Sequence, residues 1–216
     1  MKNYTLLFLL AFGILSNVNQ FQAQCFPDGN ALDVGTSTSG FQFVQSSSFE
    51  SHSTLTVEAW VYPTSFSTNT WQNPIVDRHT DMRNYTLRCG GSGVFELTVY
   101  NSSGSWGQVL SPVNTLTINE WQHIAAVYVP SPTGGTITLY RNGVQVNSAS
   151  VNIIMASSTK EVTIGATPNV WNDNRKFNGK IDEVRIWNIA RTASNILADF
   201  DNDISATTTG LIAYYK

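Results

Sequence analysis

Charge is what this chain has least of. Lysine and arginine number 12 and aspartate and glutamate 15 among 216 residues, for a formal net charge of −3 with no basic run. Nucleic acid and anionic membranes demand a clustered cationic footprint, so both drop out as expected partners. Cysteine is scarce as well. Two residues, Cys25 and Cys89, allow one bridge at most and exclude a disulfide-dense scaffold. The histidines His52, His79 and His123 lie far apart, and none falls in H-E-x-x-H or another metal-ligand spacing. The sequence also lacks a G-x-S-x-G elbow, a phosphate-binding P-loop and a dinucleotide glycine pattern.

A long apolar run is missing too. The stretch Met1 to Leu15 has a positive start and an apolar core of about 11 residues, too short for the ~30 Å of hydrocarbon in a bilayer. With the polar run to Ala23-Gln24 it reads as a secretory signal over residues 1–24, removed to leave residues 25–216. Secretion or display at the cell surface is the expectation. Cys25 then stands at the mature N-terminus, where either lipidation or a Cys25–Cys89 bridge is open to it; Cys89 reads equally as a small buried core residue.

What fills the chain is β pattern. Ser, Thr, Asn and Gly separate short apolar runs, and a length near 200 residues suits a single all-β domain. Leu55, Val57, Ala59 and Val61 alternate with Thr56, Glu58, Trp60 and Tyr62 until Pro63 ends the strand. Phe95, Leu97 and Val99 alternate likewise, as do Ile137 and Leu139 before Asn142-Gly143, a type I′ hairpin signal that turns the chain back through Val144 and Val146. One apolar face per strand is the signature of antiparallel sheets packed as a sandwich. One short helix is expected near the C-terminus, capped by Thr192, with Ile196, Leu197 and Phe200 closing over an end of the sandwich and Arg191 anchoring the corner. Ser37 to Ser53 and Ser102 to Ser111 read as serine-rich loops, and the sequons at Asn84 and Asn101 as surface positions.

The run Gly179-Lys-Ile-Asp-Glu-Val-Arg-Ile-Trp-Asn188, continued by Ala190-Arg-Thr192, is the most specific stretch. Strict alternation would place Asp182 with Val184 and Ile186, facing the core, and Ile181, Glu183, Arg185 and Trp187 on the other side. The stretch resembles the C-terminal signature of the LamG-like jelly-roll family, the laminin-G, pentraxin and concanavalin A-like sandwiches. Other pieces follow in the family's order: Ala31-Leu-Asp-Val34, Phe41-Gln-Phe-Val44, Leu55 to Pro63, Trp121 to Val127, Leu139 to Val144, Val162 to Gly165 and Gly210 to Tyr215. The resemblance implies an all-β concanavalin A-like jelly roll that continues beyond Lys216 into a larger multidomain surface protein.

It also implies a recognition or adhesion module for polysaccharide or a surface protein, steadied by calcium on Asp182 with Asp28 or Asp33 as partner. Two rivals stand beside it: a glycoside hydrolase of the same sandwich class, and a structural spacer. The hydrolase needs paired carboxylates on one strand face, E-x-D-x-E or E-x-D-x-x-E, and Glu58, Glu96, Glu161 and Glu183 each lack that partner. For a ligand surface the aromatic residues among polar neighbours are the candidates: Trp71, Trp106 and Trp171, with Asn172 and Asp173 beside the last and a polar loop of Asp77, Arg78, His79 and Asp81. An indole offers a sugar ring an apolar platform while amides and carboxylates meet its hydroxyls. Trp60, Trp121 and Trp187 are expected in strands with structural roles, and His123 as a satisfied structural histidine.

Overall fold

The computed structural model describes residues 31–34, 42–44, 54–70, 73–78, 84–158, 161–167 and 175–216. Two antiparallel sheets face each other. The first has seven strands: β1 (Leu32–Asp33), β12 (Gly179–Trp187), β3 (Leu55–Pro63), β8 (Gln122–Ser131), β9 (Gly134–Arg141) and β10 (Val144–Val151) in spatial order, with β13 (Leu211–Tyr215) sharing the β1 edge of β12. The second has six, in the order β2 (Gln42–Val44), β11 (Val162–Ile164), β4 (Asn73–Asp77), β5 (Asn84–Gly90), β6 (Val94–Tyr100) and β7 (Trp106–Leu110). A single helix among the described residues, α1 (Ala193–Asp199), follows β12. No helix among the described residues is long and apolar enough to cross a membrane.

The period-two pattern produces the core directly. Leu55, Val57, Ala59 and Val61 of β3 and Ile124, Ala126 and Tyr128 of β8 meet Tyr85, Leu87 and Cys89 of β5 and Phe95, Leu97 and Val99 of β6 in one buried cluster. β-branched and aromatic side chains fit that half-buried pleated surface. Asn142 and Gly143 both take positive φ, 48° and 74°, the type I′ geometry the dipeptide predicts. Gly143 is required twice over, because a Cβ there would stand 2.7 Å from Leu197 Cδ1. Cys89 is fully buried and has no bridge among the described residues, and burial pushes its thiol pKa far up; Cys25 lies outside the described residues, and with it the Cys25–Cys89 bridge.

Asp182 does not join the core-facing row. Asp182 opposes Trp60 in the β12–β3 ladder and Arg185 opposes Glu58, so β12 carries one extra residue between them. Glu183 takes the left-handed conformation, φ 49°, which makes the extra residue a β-bulge. Alternation slips there. Ile181, Val184 and Ile186 all enter the core, whereas Asp182 lies half-buried on the outer face with Arg185 and Trp187. Its Oδ1 accepts a hydrogen bond from the Glu183 backbone N–H at 2.8 Å, which stabilises the bulge.

The helix also departs from expectation. It lies across the outer face of the seven-stranded sheet rather than over an end of the sandwich, where Ile196 packs with Ala125, Val127 and Tyr140 in a second small cluster. Leu197 is 53% exposed and Phe200 stands against Trp60 and His123, so only part of the apolar stripe is buried. Thr192 is the N-cap, its Oγ1 accepting from the Asn195 N–H at 3.2 Å. Arg191 anchors the corner as anticipated. It donates to Glu58 Oε1 at 2.9 Å and to Asp199, and its guanidinium lies 4.2 Å over the Trp187 ring.

Candidate functional site

The outer face of the six-stranded sheet is where polar residues collect. The strand registers align Thr163, Asp77, Thr86, Thr98 and Gln108 in one row across β11, β4, β5, β6 and β7. On one side of it Arg88 opposes Glu96, and on the other Asn84 opposes Tyr100, which opposes Trp106. Since the opposite face of each strand is committed to the core, alternation forces these side chains together. Sequence spacing could have found this floor, because Thr86, Arg88, Glu96 and Thr98 are the polar members of apolar strands.

The floor is buried and internally bonded. Arg88 Nε donates to Glu96 Oε1 at 2.6 Å and Nη2 to Thr98 Oγ1 at 2.9 Å, while Thr167 Oγ1 donates to Asp77 Oδ2 at 2.8 Å. Desolvation raises the pKa of Tyr100 against the opposing pull of Arg88. Buried charges that are paired and bonded are tolerable, whereas unpaired ones are not. Trp106 is different. It occupies the sheet's edge strand and is 57% exposed, beside Gln108 and opposite Tyr100.

Several anticipated site residues move. Asp77 ends β4 and belongs to the floor, while Arg78 is buried and donates to the Ser158 carbonyl beside Leu55, Tyr85 and Met155, so the two are not one exposed loop. Trp106 lies in a strand within Ser102 to Ser111, which is therefore not all loop. Asn84 is buried in β5, its Nδ2 donating to the Ala156 carbonyl at 2.6 Å, which removes it as a glycosylation position in the folded chain. Trp71, Trp171, Asn172, Asp173, His79, Asp81 and Asp28 lie outside the described residues. Trp121 precedes β8 rather than belonging to it and is 41% exposed, against the expectation of a structural strand residue.

His123 and Glu58 form another polar concentration among the described residues, beneath the helix. Nε2 stands 3.3 Å from Glu58 Oε2, within ion-pair range though off the hydrogen-bond direction. Burial lowers the His123 pKa against the pull of Glu58. Burial would raise Glu58, but His123 and Arg191 outweigh it and its pKa is lowered. This cluster fastens helix to sheet.

Two sheets, a buried core and a polar outer face define the concanavalin A-like jelly roll as the class. The chain belongs to the Laminin_G_3 family of the concanavalin A-like lectin/glucanases superfamily, whose model matches residues 35–197. Among solved structures it is similar to a protein from Bacteroides ovatus inferred to bind carbohydrate, at 25% identity and TM-score 0.63, over 82% of this chain and 48% of that one. It thus spans about half the length of that relative. It is also similar in fold to the CBM40 module of Ruminococcus gnavus IT-sialidase bound to α2,3-sialyllactose, at 13% identity and TM-score 0.56, over 80% of this chain and 92% of that one. A third is a heptameric SAP-like pentraxin from Limulus polyphemus, at 18% identity and TM-score 0.54, over 80% and 84%. A search of curated protein sequences finds no significant match.

Proposed function

We propose that the chain is a non-catalytic glycan-recognition module, secreted or held at the cell surface, that takes its ligand on the outer face of the six-stranded sheet. The observation that carries this is Trp106, an exposed indole beside a preformed hydrogen-bonded floor. A sugar ring covers such an indole with its C–H face and meets the partly exposed Gln108 beside it with its hydroxyls, while the buried floor holds the strand in place. The Bacteroides ovatus relative and the sialyllactose-bound module support the same ligand class.

A hydrolase is disfavoured by the same geometry. Asp77 and Glu96 are carboxylates of this face, but they stand on β4 and β6 with β5 between. Register sets Asp77 level with Thr98, so Glu96 lies two strands across and two residues along, about 12 Å between backbones, whereas the retaining pair is built from near neighbours on one strand face with carboxyls ~5 to 5.5 Å apart. Glu96 is also buried and engaged by Arg88 and Thr98, so its carboxylate is not presented to a substrate on this face.

Calcium gains little from the described residues. Asp33 opposes Lys180 in register and Asp182 lies two residues on, so an ammonium shares the space between the two acids, and Asp182 Oδ1 is already engaged. Among the described residues no group of three or more histidine, cysteine or acidic side chains gathers, whereas calcium takes about six to eight oxygens. Two carboxylates beside a lysine do not fit that ion.

The test is a glycan array, run with calcium and with chelator, followed by calorimetry on the best ligand with reducing-sugar release monitored. Trp106→Ala should weaken binding at least about tenfold, a loss of roughly 1.4 kcal/mol, with the far-UV circular dichroism unchanged. Sugar release, or full affinity in Trp106→Ala, would overturn the reading.

A further inference from the structure

The opposite face of the molecule carries an aromatic row that the helix leaves open. On the seven-stranded sheet, α1 and the segment after it cover the rows of Glu58, Arg185 and Trp60, where Trp60 Nε1 donates to the Phe200 carbonyl at 2.8 Å. One row further out, register places Asp33 opposite Lys180 and Lys180 opposite Tyr62. Val61 pairs with Gln122, so Trp121 falls beside Tyr62. Their rings lie 5.6 Å apart at 55°, and the indole stays 41% exposed although a close aromatic neighbour covers one side.

Polar groups flank that pair at saccharide spacing. Strands about 4.8 Å apart make the Trp121–Tyr62–Lys180 row about 10 Å long, and Asp182 stands about 6.7 Å along β12 from Lys180. That matches one to two pyranose rings. Lys180 is exposed, and Asp182, half-buried, uses Oδ1 on the Glu183 N–H and leaves Oδ2 with no donor among the described residues. A carboxylate oxygen and an ammonium beside an indole supply an acceptor, donors and an apolar plate, the three things a hexose presents partners for. Asp33 and Asp182 are placed near Lys180 by register and spacing, two acids to one lysine, so the patch has no surplus positive charge for a sialic or uronic acid.

We propose that Trp121, Tyr62, Lys180 and Asp182 form a second saccharide contact, for a neutral hexopyranose, on the face opposite Trp106. The module would then hold glycan on two sides. Two weak contacts on one polymer add avidity through effective concentration without any new interaction at either. This site stands independently of the first.

The experiment is ¹⁹F NMR of the full chain carrying 5-fluorotryptophan, with the Trp106 and Trp121 resonances assigned by Trp106→Phe and Trp121→Phe. Cellohexaose, laminarihexaose, mannohexaose and α2,3-sialyllactose are titrated in turn. The expected result is a saturable Trp121 shift with a neutral hexaose, surviving in Trp106→Ala and lost in Tyr62→Ala or Lys180→Met. A Trp121 resonance unmoved by every sugar overturns the second site while a moving Trp106 keeps the first, and a silent Trp106 with a moving Trp121 does the reverse. A Trp121 response that is strongest to sialyllactose overturns the neutral-sugar assignment.

Discussion

Glu58 shows how much depends on single side chains here. It is buried, bonded to Arg191, 3.3 Å from His123 and near Arg185, so removing its charge leaves the buried Arg191 guanidinium only its more exposed partner Asp199. Breaking one side of a buried pair costs about 3–5 kcal/mol. Glu58→Gln should therefore lower the free energy of unfolding by an amount near that range in urea titrations, far more than an exposed charge such as Asp203, which pairs with Lys216 in solvent. Some of this was legible in the sequence. Glu58 reads as an outward position of β3 and His123 as a structural histidine, but nothing local says that a helix 133 residues away returns Arg191 to meet them. Trp121 illustrates the opposite failure. Its neighbours resemble a strand, yet the strand begins one residue later, so the indole is left outside the ladder.

At the scale of the element, β12 is governed by one residue. Ile181 and Val184 can both face the core only because Glu183 adds a step in left-handed geometry. The alternation rule places Asp182 wrongly for that reason, since a bulge is a tertiary decision that leaves no period of its own. Deleting Glu183 would remove the bulge and set Asp182 directly before Val184, so that Ile181, Val184 and Ile186 still face the core and Arg185 and Trp187 still face outward in strict alternation. The expected outcome is a chain that still unfolds cooperatively, with an unchanged near-UV circular dichroism spectrum and a urea midpoint lowered by the lost Glu183 contacts; an inverted strand would instead abolish the near-UV signal and broaden the transition. Glu183→Gly keeps the extra residue and a backbone that accepts positive φ, so it should fold, weakened only by the missing contacts to Arg185 and Tyr214. The long strands such as β3, β6 and β9 were readable because each commits one face to the core, whereas the edge strand β7 reads as loop; the helix's seat was not legible, since Ile196 alone is buried.

For the whole molecule the titration of the polar clusters sets the acid limit. His123 has its pKa lowered from 6.5 by burial, so the unfolded chain takes up a proton first as the pH falls and stability is full above 6.5 and lost below it. Glu58 adds to this. Its pKa lies below 4.5, so its share is present above 4.5 and disappears as the pH falls through the folded value. Asp182, raised from 3.8 by burial, works weakly the other way. Urea midpoints should hold level above neutrality, decline from 6.5 and drop more steeply under 4.5, and His123→Gln should flatten the first decline. The candidate ligand face was only half visible beforehand: Trp106 and Asp77 were singled out, but the floor joining them exists only once five strands stand in register.

The shared edge of β12 has one more consequence. β13 pairs with its later half, ending with Tyr215 opposite Val184, and β1 pairs with its earlier half, with Leu32 opposite Ile181. The two therefore run in line, the end of one meeting the start of the other, like a single strand cut in the middle. Residues 216 and 31 already fill the two positions between Tyr215 and Leu32, so they could be spliced directly and the chain reopened at an exposed turn such as Thr133, with every ladder kept. Where this sandwich starts is thus a property of the gene rather than of the sheet.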